Sequence, residues 1–141
     1  MFYEFPVTVP ANTLQSAPVT QVCKLTEGIV HYVEIEFPAG CADQLGGAGP
    51  LVHVQIRQPE ATYLPTNPDS SFASDDHIIP IREYKALGEG NNVLKIYAWN
   101  EDDTYAHTVI VRIGVLSQEH LEPTASVRDL LKRFLALLGV R

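Results

Sequence analysis

The chain has 141 residues, 45% of them hydrophobic, and a net charge of −7 with histidine neutral. This length provides one domain with its own core, and the apolar content excludes a chain that is disordered throughout. The acidic balance argues against nonspecific nucleic-acid binding, which requires a clustered basic face that displaces counterions from phosphates. The charge is uneven: residues 1–123 hold six basic and sixteen acidic side chains, a net of −10, whereas residues 124–141 hold four and one, a net of +3.

The sequence shows neither a targeting segment nor a cysteine pattern typical of a disulfide-rich protein. No stretch approaches the roughly 18–20 apolar residues that cross a bilayer, and residues 1–10 lack the basic segment and apolar run of a signal peptide. We therefore expect no membrane partner.

Cys23 and Cys41 match neither a disulfide framework nor a zinc site with four paired ligands. We expect two buried free thiols, with a disulfide between them as the alternative.

Alternation of apolar and polar residues dominates the chain up to residue 116. In residues 31–37, Val33, Ile35 and Phe37 fall on one face and polar side chains on the other, which is typical of a half-buried strand. The same pattern predicts strands at 3–9, 19–26, 31–37, 51–57, 77–81, 93–99 and 107–115.

Turn residues set the connections between these strands. The polar turn at 100–104 predicts that the last two strands form a hairpin, and residues 82–88 are compatible with one helical turn ending at Gly88. Seven or eight short strands with glycine and proline between them predict a mostly β fold, an antiparallel β-sandwich with jelly-roll order. An immunoglobulin-like order is the alternative.

The last part of the chain predicts an amphipathic helix. Ser126 and Asp129 match a capping box, so we divide the chain into a β-sandwich domain at 1–116, a linker at 117–125 and a C-terminal helix at 126–141. Its apolar face is a predicted partner-binding surface. The alternative is that this face packs back on its own sandwich. The face consists of Val127, Leu130, Leu131, Phe134, Leu135 and Leu138.

Signatures of enzymes are missing. The sequence has no G-x-S-x-G, no phosphate-binding glycine loop between a strand and a helix, and no H-E-x-x-H. We therefore predict no catalytic residues, no metal and no cofactor. His31 and His53 fall on outward strand faces, where two histidines on adjacent strands would bind a metal ion only if they approached one another. Solvated surface histidines are the simpler interpretation.

Two acidic segments, at 67–77 and 100–103, are predicted loops and candidate contact sites. Aspartate in such loops also forms turns by bonding its own backbone, and calcium binding is the alternative interpretation. Trp99 is predicted to be a core residue at a strand end, whereas Tyr105 is the aromatic side chain that we expect to be exposed. The candidate ligand or contact residues are Asp69, Asp75, Asp76, Asp102, Asp103 and Tyr105.

Three stretches carry a resemblance to a known group of proteins. They are FPAGCA at 37–42 leading to VHVQI at 52–56, LPTNPD at 64–69 leading to FASDD at 72–76, and W-N-x-D-D-x-Y-x-H at 99–107 with the strand that follows it. Together they resemble small virion structural proteins of tailed bacteriophages. The similarity covers roughly residues 20–116, and the chain departs from the pattern in its extra link at 43–50.

The resemblance implies a location and a type of partner. It implies a virion protein, assembled in the host cytoplasm, with a capsid-decorating or adaptor role and no catalytic residues. Its partners would be other virion proteins, such as the major capsid protein, and further copies of itself. The alternative function is a receptor- or glycan-binding module at a tail or spike tip, assisted by calcium.

Overall fold

The computed structural model describes residues 1–43, 45–47, 49–59, 61–88, 92–117 and 122–139. Within these ranges the protein is mostly β, with two antiparallel sheets and one C-terminal helix. The strands are β1 (Phe2–Val9), β2 (Val19–Leu25), β3 (Gly28–Phe37), β4 (Val52–Gln58), β5 (Ala61–Leu64), β6 (Phe72–Ala73), β7 (His77–Leu87), β8 (Asn92–Asn100) and β9 (His107–Leu116), followed by the helix α1 (Glu122–Leu137).

The strands divide between the two sheets in an interleaved order. Sheet A has the order β1-β9-β3-β7, and sheet B has the order β2-β8-β4-β5, with β6 paired to β4. Buried side chains from both sheets form one apolar cluster. The arrangement is therefore sandwich-like, because the two sheets bury their inner faces against a common core.

The predicted alternation of β3 and β4 is confirmed. Val33, Ile35 and Phe37 on β3 are buried, and so are the residues of β4 at alternate positions, Val52 and Val54. Between them lie side chains that point away from the core, which satisfies the two-residue period of a strand. Burial of one face is what fixes the register of these strands, since a slip by one residue would expose every apolar side chain.

The predicted hairpin at 93–99 and 107–115 is wrong. β8 belongs to sheet B, where it pairs with β2 and β4, whereas β9 belongs to sheet A, where it pairs with β1 and β3. The turn at 100–104 therefore connects the two sheets. A local pattern cannot distinguish these cases, because either arrangement buries one apolar face of each strand.

The helical turn considered for 82–88 is also wrong, since β7 continues as a strand to Leu87. Its second half pairs with the beginning of β3, with Leu87 opposite Gly28 and Lys85 opposite Val30. This pairing overrides the local helical tendency. β5 and β6 were not predicted, because strands of four and two residues are too short to show a period.

The helix begins at Glu122, four residues before the predicted start at Ser126. Pro123 lies in its first turn, where the backbone N–H groups have no partner inside the helix and a proline is therefore tolerated. Ser126 consequently lies inside the helix, not at its N-cap. The side chains of 122–129 are outside the described part of the structure. Among the described residues, no helix has both the length and the apolar character needed to cross a bilayer.

Candidate functional site

An open groove lies at one end of the β body, between the β3–β4 loop and the β8–β9 loop. Its volume is about 840 Å³, which falls within the 300–1,000 Å³ typical of ligand sites. Its rim combines exposed apolar and acidic side chains. These include Leu45, Glu101, Asp103 and Tyr105, and the partly buried Leu51 and His107 also line the groove.

Asn100 holds the β8–β9 loop in place from below. Its side chain is fully buried and donates from Nδ2 to the carbonyls of Val9 (3.3 Å) and Tyr105 (2.9 Å). Its Oδ1 accepts the N–H of Asp102 at 2.9 Å. A buried amide with these three bonds ties the end of β1 to both sides of the loop, which is how a polar residue is accommodated inside a core.

Asp102 closes the loop. One carboxylate oxygen accepts the backbone N–H groups of Thr104 (2.9 Å) and Tyr105 (3.1 Å), and the other lies 2.8 Å from Nε2 of His107. The hydrogen bond with His107, followed by the two backbone bonds, lowers the pKa of the Asp102 carboxyl below its ordinary value. The loop geometry is therefore set by the same residues that form the W-N-x-D-D-x-Y-x-H motif.

The segment between β1 and β2 supports the loop from outside. Asn12 donates its backbone N–H to the Asp102 carbonyl (2.8 Å) and its Nδ2 to the Asp103 carbonyl (3.2 Å). Asn12 has a φ of +56°, a left-handed conformation that asparagine tolerates better than most residues. These bonds involve only backbone carbonyls of the loop, and the side chains of Asp103 and Tyr105 are exposed.

The two acidic loops meet only in part. Asp102, Asp103 and Tyr105 line the groove, whereas Asp75 lies behind it and accepts the N–H of Cys41 at 2.8 Å. Asp76 is exposed, and its backbone N–H bonds to the loop after β3. Asp69 is an exposed turn residue with a φ of +60°. The turn-forming interpretation thus describes Asp69, Asp76 (φ of +46°) and Asp102, whereas the Asp75 carboxylate joins its loop to the loop after β3.

Several residues of the groove were not predicted from the sequence, among them Leu45, Asp43 and Glu101. Leu45 is 96% exposed, and Asp43 holds the turn beside it by accepting the N–H groups of Leu45 (2.9 Å) and Gly47 (3.3 Å). Glu101 lies on the opposite side, within 3.5 Å of His53. The available signal was the link at 43–50, a glycine-rich stretch whose single exposed leucine has no role in a strand.

Trp99 is buried, but its position differs from the predicted core site. It is 5% exposed and lies on the outer side of sheet B, stacked on His53 with ring centroids 5.2 Å apart and planes within 5°. The core side of the strand is taken by Ala98 and its alternate neighbours. His53 and His31 lie on strands of different sheets, so they do not form the metal pair that adjacent strands would have allowed.

The apolar face predicted for the helix is open to solvent. All five of its residues with described side chains are exposed, and Phe134, the largest, is 59% exposed. Val127 belongs to the predicted face but lies outside the described side chains. The described residues are Leu130, Leu131, Phe134, Leu135 and Leu138.

Within the described ranges, no three histidine, cysteine or acidic side chains come together in a geometry that would hold a metal ion. Both cysteines are buried free thiols, as expected.

The chain matches no family model and no curated protein.

Proposed function

We propose that this protein is a non-enzymatic structural protein of a phage particle, a capsid-decorating or adaptor protein that acts through protein–protein contacts. Its location would be the virion, after assembly in the host cytoplasm. Its partners would be other virion proteins, such as the major capsid protein, and further copies of the chain. The resemblance of residues 20–116 to such proteins supplies the setting, and the helix supplies the means of contact.

The exposed face of α1 carries this proposal. A helix of 16 residues is marginally stable in water by itself, and most helices in proteins depend on packing of their apolar face. Here the leucines and Phe134 on that face are exposed. Contiguous apolar patches on a protein surface mark sites of association, so the face is best explained by a partner that covers it.

The β8–β9 loop supports a non-enzymatic role. The Asp102–His107 pair resembles the carboxylate–imidazole pair of many hydrolases, but the side chain of His107 is only 9% exposed. The carboxylate of Asp102 already accepts bonds from two backbone N–H groups besides its contact with His107. These bonds account for Asp102 and His107 as loop-forming groups.

We also propose jelly-roll topology for the β body. With the two-residue β6 set aside, eight strands remain, and the first pairs with the last (β1 with β9), the second with the seventh (β2 with β8) and the third with the sixth (β3 with β7). The innermost pair is β4 with β5. An antiparallel ribbon that is wound into two sheets produces this nested pairing, which consists of two Greek keys.

The proposal is tested with purified particles and two full-length variants. Leu131→Glu with Phe134→Glu places two charges on the helix face, whereas the control, Leu14→Glu with Tyr84→Glu, places two charges on exposed apolar side chains of the β body and should bind as the parent does. We expect the parent chain to copurify with particles in a fixed copy number and the Leu131/Phe134 variant to be lost from them. Absence of the parent chain from particles, or retention of the Leu131/Phe134 variant at the parent's copy number, contradicts the proposal.

A receptor- or glycan-binding module is the second candidate, and the groove favours it. Tyr105 is 68% exposed at the rim, where its ring is free to stack on a sugar, with Asp103 beside it as a hydrogen-bond acceptor. Glycan-array binding by the parent that is lost in Tyr105→Ala, with Tyr84→Ala as an exposed control, supports this candidate. Equal binding by the parent and Tyr105→Ala removes it. Calcium assistance predicts a higher melting temperature when calcium is added.

A further inference from the structure

We propose that the groove at the β3–β4 and β8–β9 loops receives α1 of a second copy, so that the protein assembles head to tail. This inference rests on the proposed function, because it names the surface that covers the helix face. The groove and the helix are the two complementary surfaces of one chain. Their charges, their apolar side chains and the distance from the groove to the end of β9 each support the pairing.

The charges of the two surfaces are opposite. The groove is lined by Asp43, Glu101 and Asp103 in addition to Asp102, and none of its described lining residues is a lysine or an arginine. α1 contains Arg128, Lys132 and Arg133 against Glu122 and Asp129, and the charged residues whose side chains the structure describes there are Lys132 and Arg133, both exposed. At 100° per residue these two side chains lie on either side of the apolar face. Charges that flank an apolar contact steer the approach and fix its register.

The apolar parts of the two surfaces are also suited to each other. Leu45 and Tyr105 stand on the two sides of the groove, and Leu51 lies between them, partly buried. Docking of an amphipathic helix in such a groove relies on side chains at i, i+3, i+4 and i+7. Leu130, Phe134 and their neighbours on the helix supply that spacing.

The position of the groove favours a second copy over the chain's own helix. β9 begins at His107, which lines the groove, and ends at Leu116, roughly 30 Å away at 3.3 Å per residue. Five residues separate β9 from α1, so the helix begins at most roughly 20 Å from Leu116. To reach its own groove, α1 would have to fold back along its own β body, whereas a neighbouring copy meets no such restriction.

A second acidic surface, on sheet A, is less suitable than the groove as a docking site for α1. On the outer face of sheet A, Glu4, Glu34 and Glu36 surround Arg112 at 2.9–3.2 Å. Their charges are partly neutralised by that arginine, and the surface is a sheet face without the depth of the groove. The groove is therefore the better match for a basic amphipathic helix.

Complementary surfaces at opposite ends of a chain make a heterologous contact, which closes into a ring or continues as a filament. The inference therefore predicts that the parent chain forms either a closed ring, of which a dimer with reciprocally exchanged helices is the smallest, or a ladder of sizes. Since the contact is partly electrostatic, higher ionic strength should shift this distribution toward monomer.

The test mixes two full-length variants in light-scattering chromatography and native mass spectrometry. The helix variant is Leu131→Glu with Phe134→Glu, and the groove variant is Glu101→Lys with Asp103→Lys. Each should be monomeric alone, whereas an equimolar mixture should form a heterodimer, because the intact groove of one receives the intact helix of the other. Glu4→Lys, an exposed acidic site outside the groove, is the charge control and should assemble as the parent does.

A charge exchange adds a second readout. Lys132→Glu with Arg133→Glu should weaken assembly by about tenfold, and combining it with Glu101→Lys and Asp103→Lys should restore assembly. A groove variant that assembles as the parent does overturns the inference, and so does a mixture that stays monomeric. If such a groove variant still binds particles through α1, the proposed function survives while this inference fails. Loss of the parent chain from particles instead contradicts the proposed function.

Discussion

Asn100 and Asp102 supply the bonds that a connection between two sheets needs at the residue scale. The chain reverses direction between β8 and β9 without a hairpin ladder, so the loop's N–H groups have no strand partner. Asp102 accepts two of them, and Asn100 donates to the carbonyls of Val9 at the end of β1 and of Tyr105 in the loop. Both residue types do this well, because their short side chains reach the local backbone.

We expect Asp102→Asn to lower the stability of the protein at neutral pH. The folded-state pKa of this carboxyl is lowered, so its contribution is present above the unfolded pKa and is lost as the pH falls through the folded value. The difference in melting temperature between parent and variant should therefore shrink below the ordinary carboxyl pKa of 3.8. Asp103→Asn, at an exposed carboxylate, is the control. A constant difference between pH 7 and pH 3 would contradict this assignment.

The start of β3 depends at the element scale on a close approach to β9. Gly28 has a φ of +152°, and a Cβ at this position would overlap the carbonyl oxygen of Leu116 and lie 2.9 Å from Cγ1 of Val115. A side chain here would push apart two strands that pair along most of their length. The glycine therefore permits the contact that joins the middle strands of sheet A.

Gly28→Ala should destabilise the protein by about 1–3 kcal/mol, as expected when a side chain is forced into a disfavoured conformation and a close contact. Gly88→Ala is the matched control, because no described residue has an atom within 4 Å of a Cβ at that position. Urea unfolding of both variants measures the difference. Equal midpoints for the two variants would show that the β3–β9 approach adjusts without cost.

At the scale of the whole molecule, the reactivity of the two cysteine thiols depends on their burial in the folded β body. Burial raises the pKa of Cys23 to about 12, and burial, reinforced by the nearby carboxylates of Asp75 and Asp102, raises that of Cys41 to about 11. The thiolate is the reactive species, so both groups should be nearly inert in the folded protein. Cys23 lies on β2 of sheet B and Cys41 lies in the loop between β3 and β4, and both belong to the same apolar core.

We therefore expect both cysteines to react with a disulfide reagent at pH 8 only when the β body unfolds. The labelling rate should rise with urea together with the unfolded fraction measured by circular dichroism. The chain in concentrated denaturant, where both thiols react at once, is the control. Rapid labelling of one cysteine in native buffer would reveal an opening of one sheet edge that leaves the rest folded.

The sequence by itself determined the features that depend on neighbours along the chain. Alternation located most of β1 to β4 and of β8 and β9, because burial of one strand face imposes a two-residue period. The leucine spacing located α1, and turn formation was predicted for the loops that contain Asp69 and Asp102. The start of α1 was misplaced, since Ser126 satisfies the cap pattern equally well inside the helix as at its end.

Only the tertiary structure decided how these elements combine. In the structure, β8 and β9 belong to different sheets, and β7 continues through residues 82–87, where a helical turn was expected. Trp99 is buried, but on the outer side of sheet B, where it stacks on His53. The tertiary structure also joined Leu45, Glu101 and Tyr105 into one groove. These outcomes depend on contacts between residues far apart in the chain, and many pairings bury the same apolar faces. A local pattern therefore cannot choose among them.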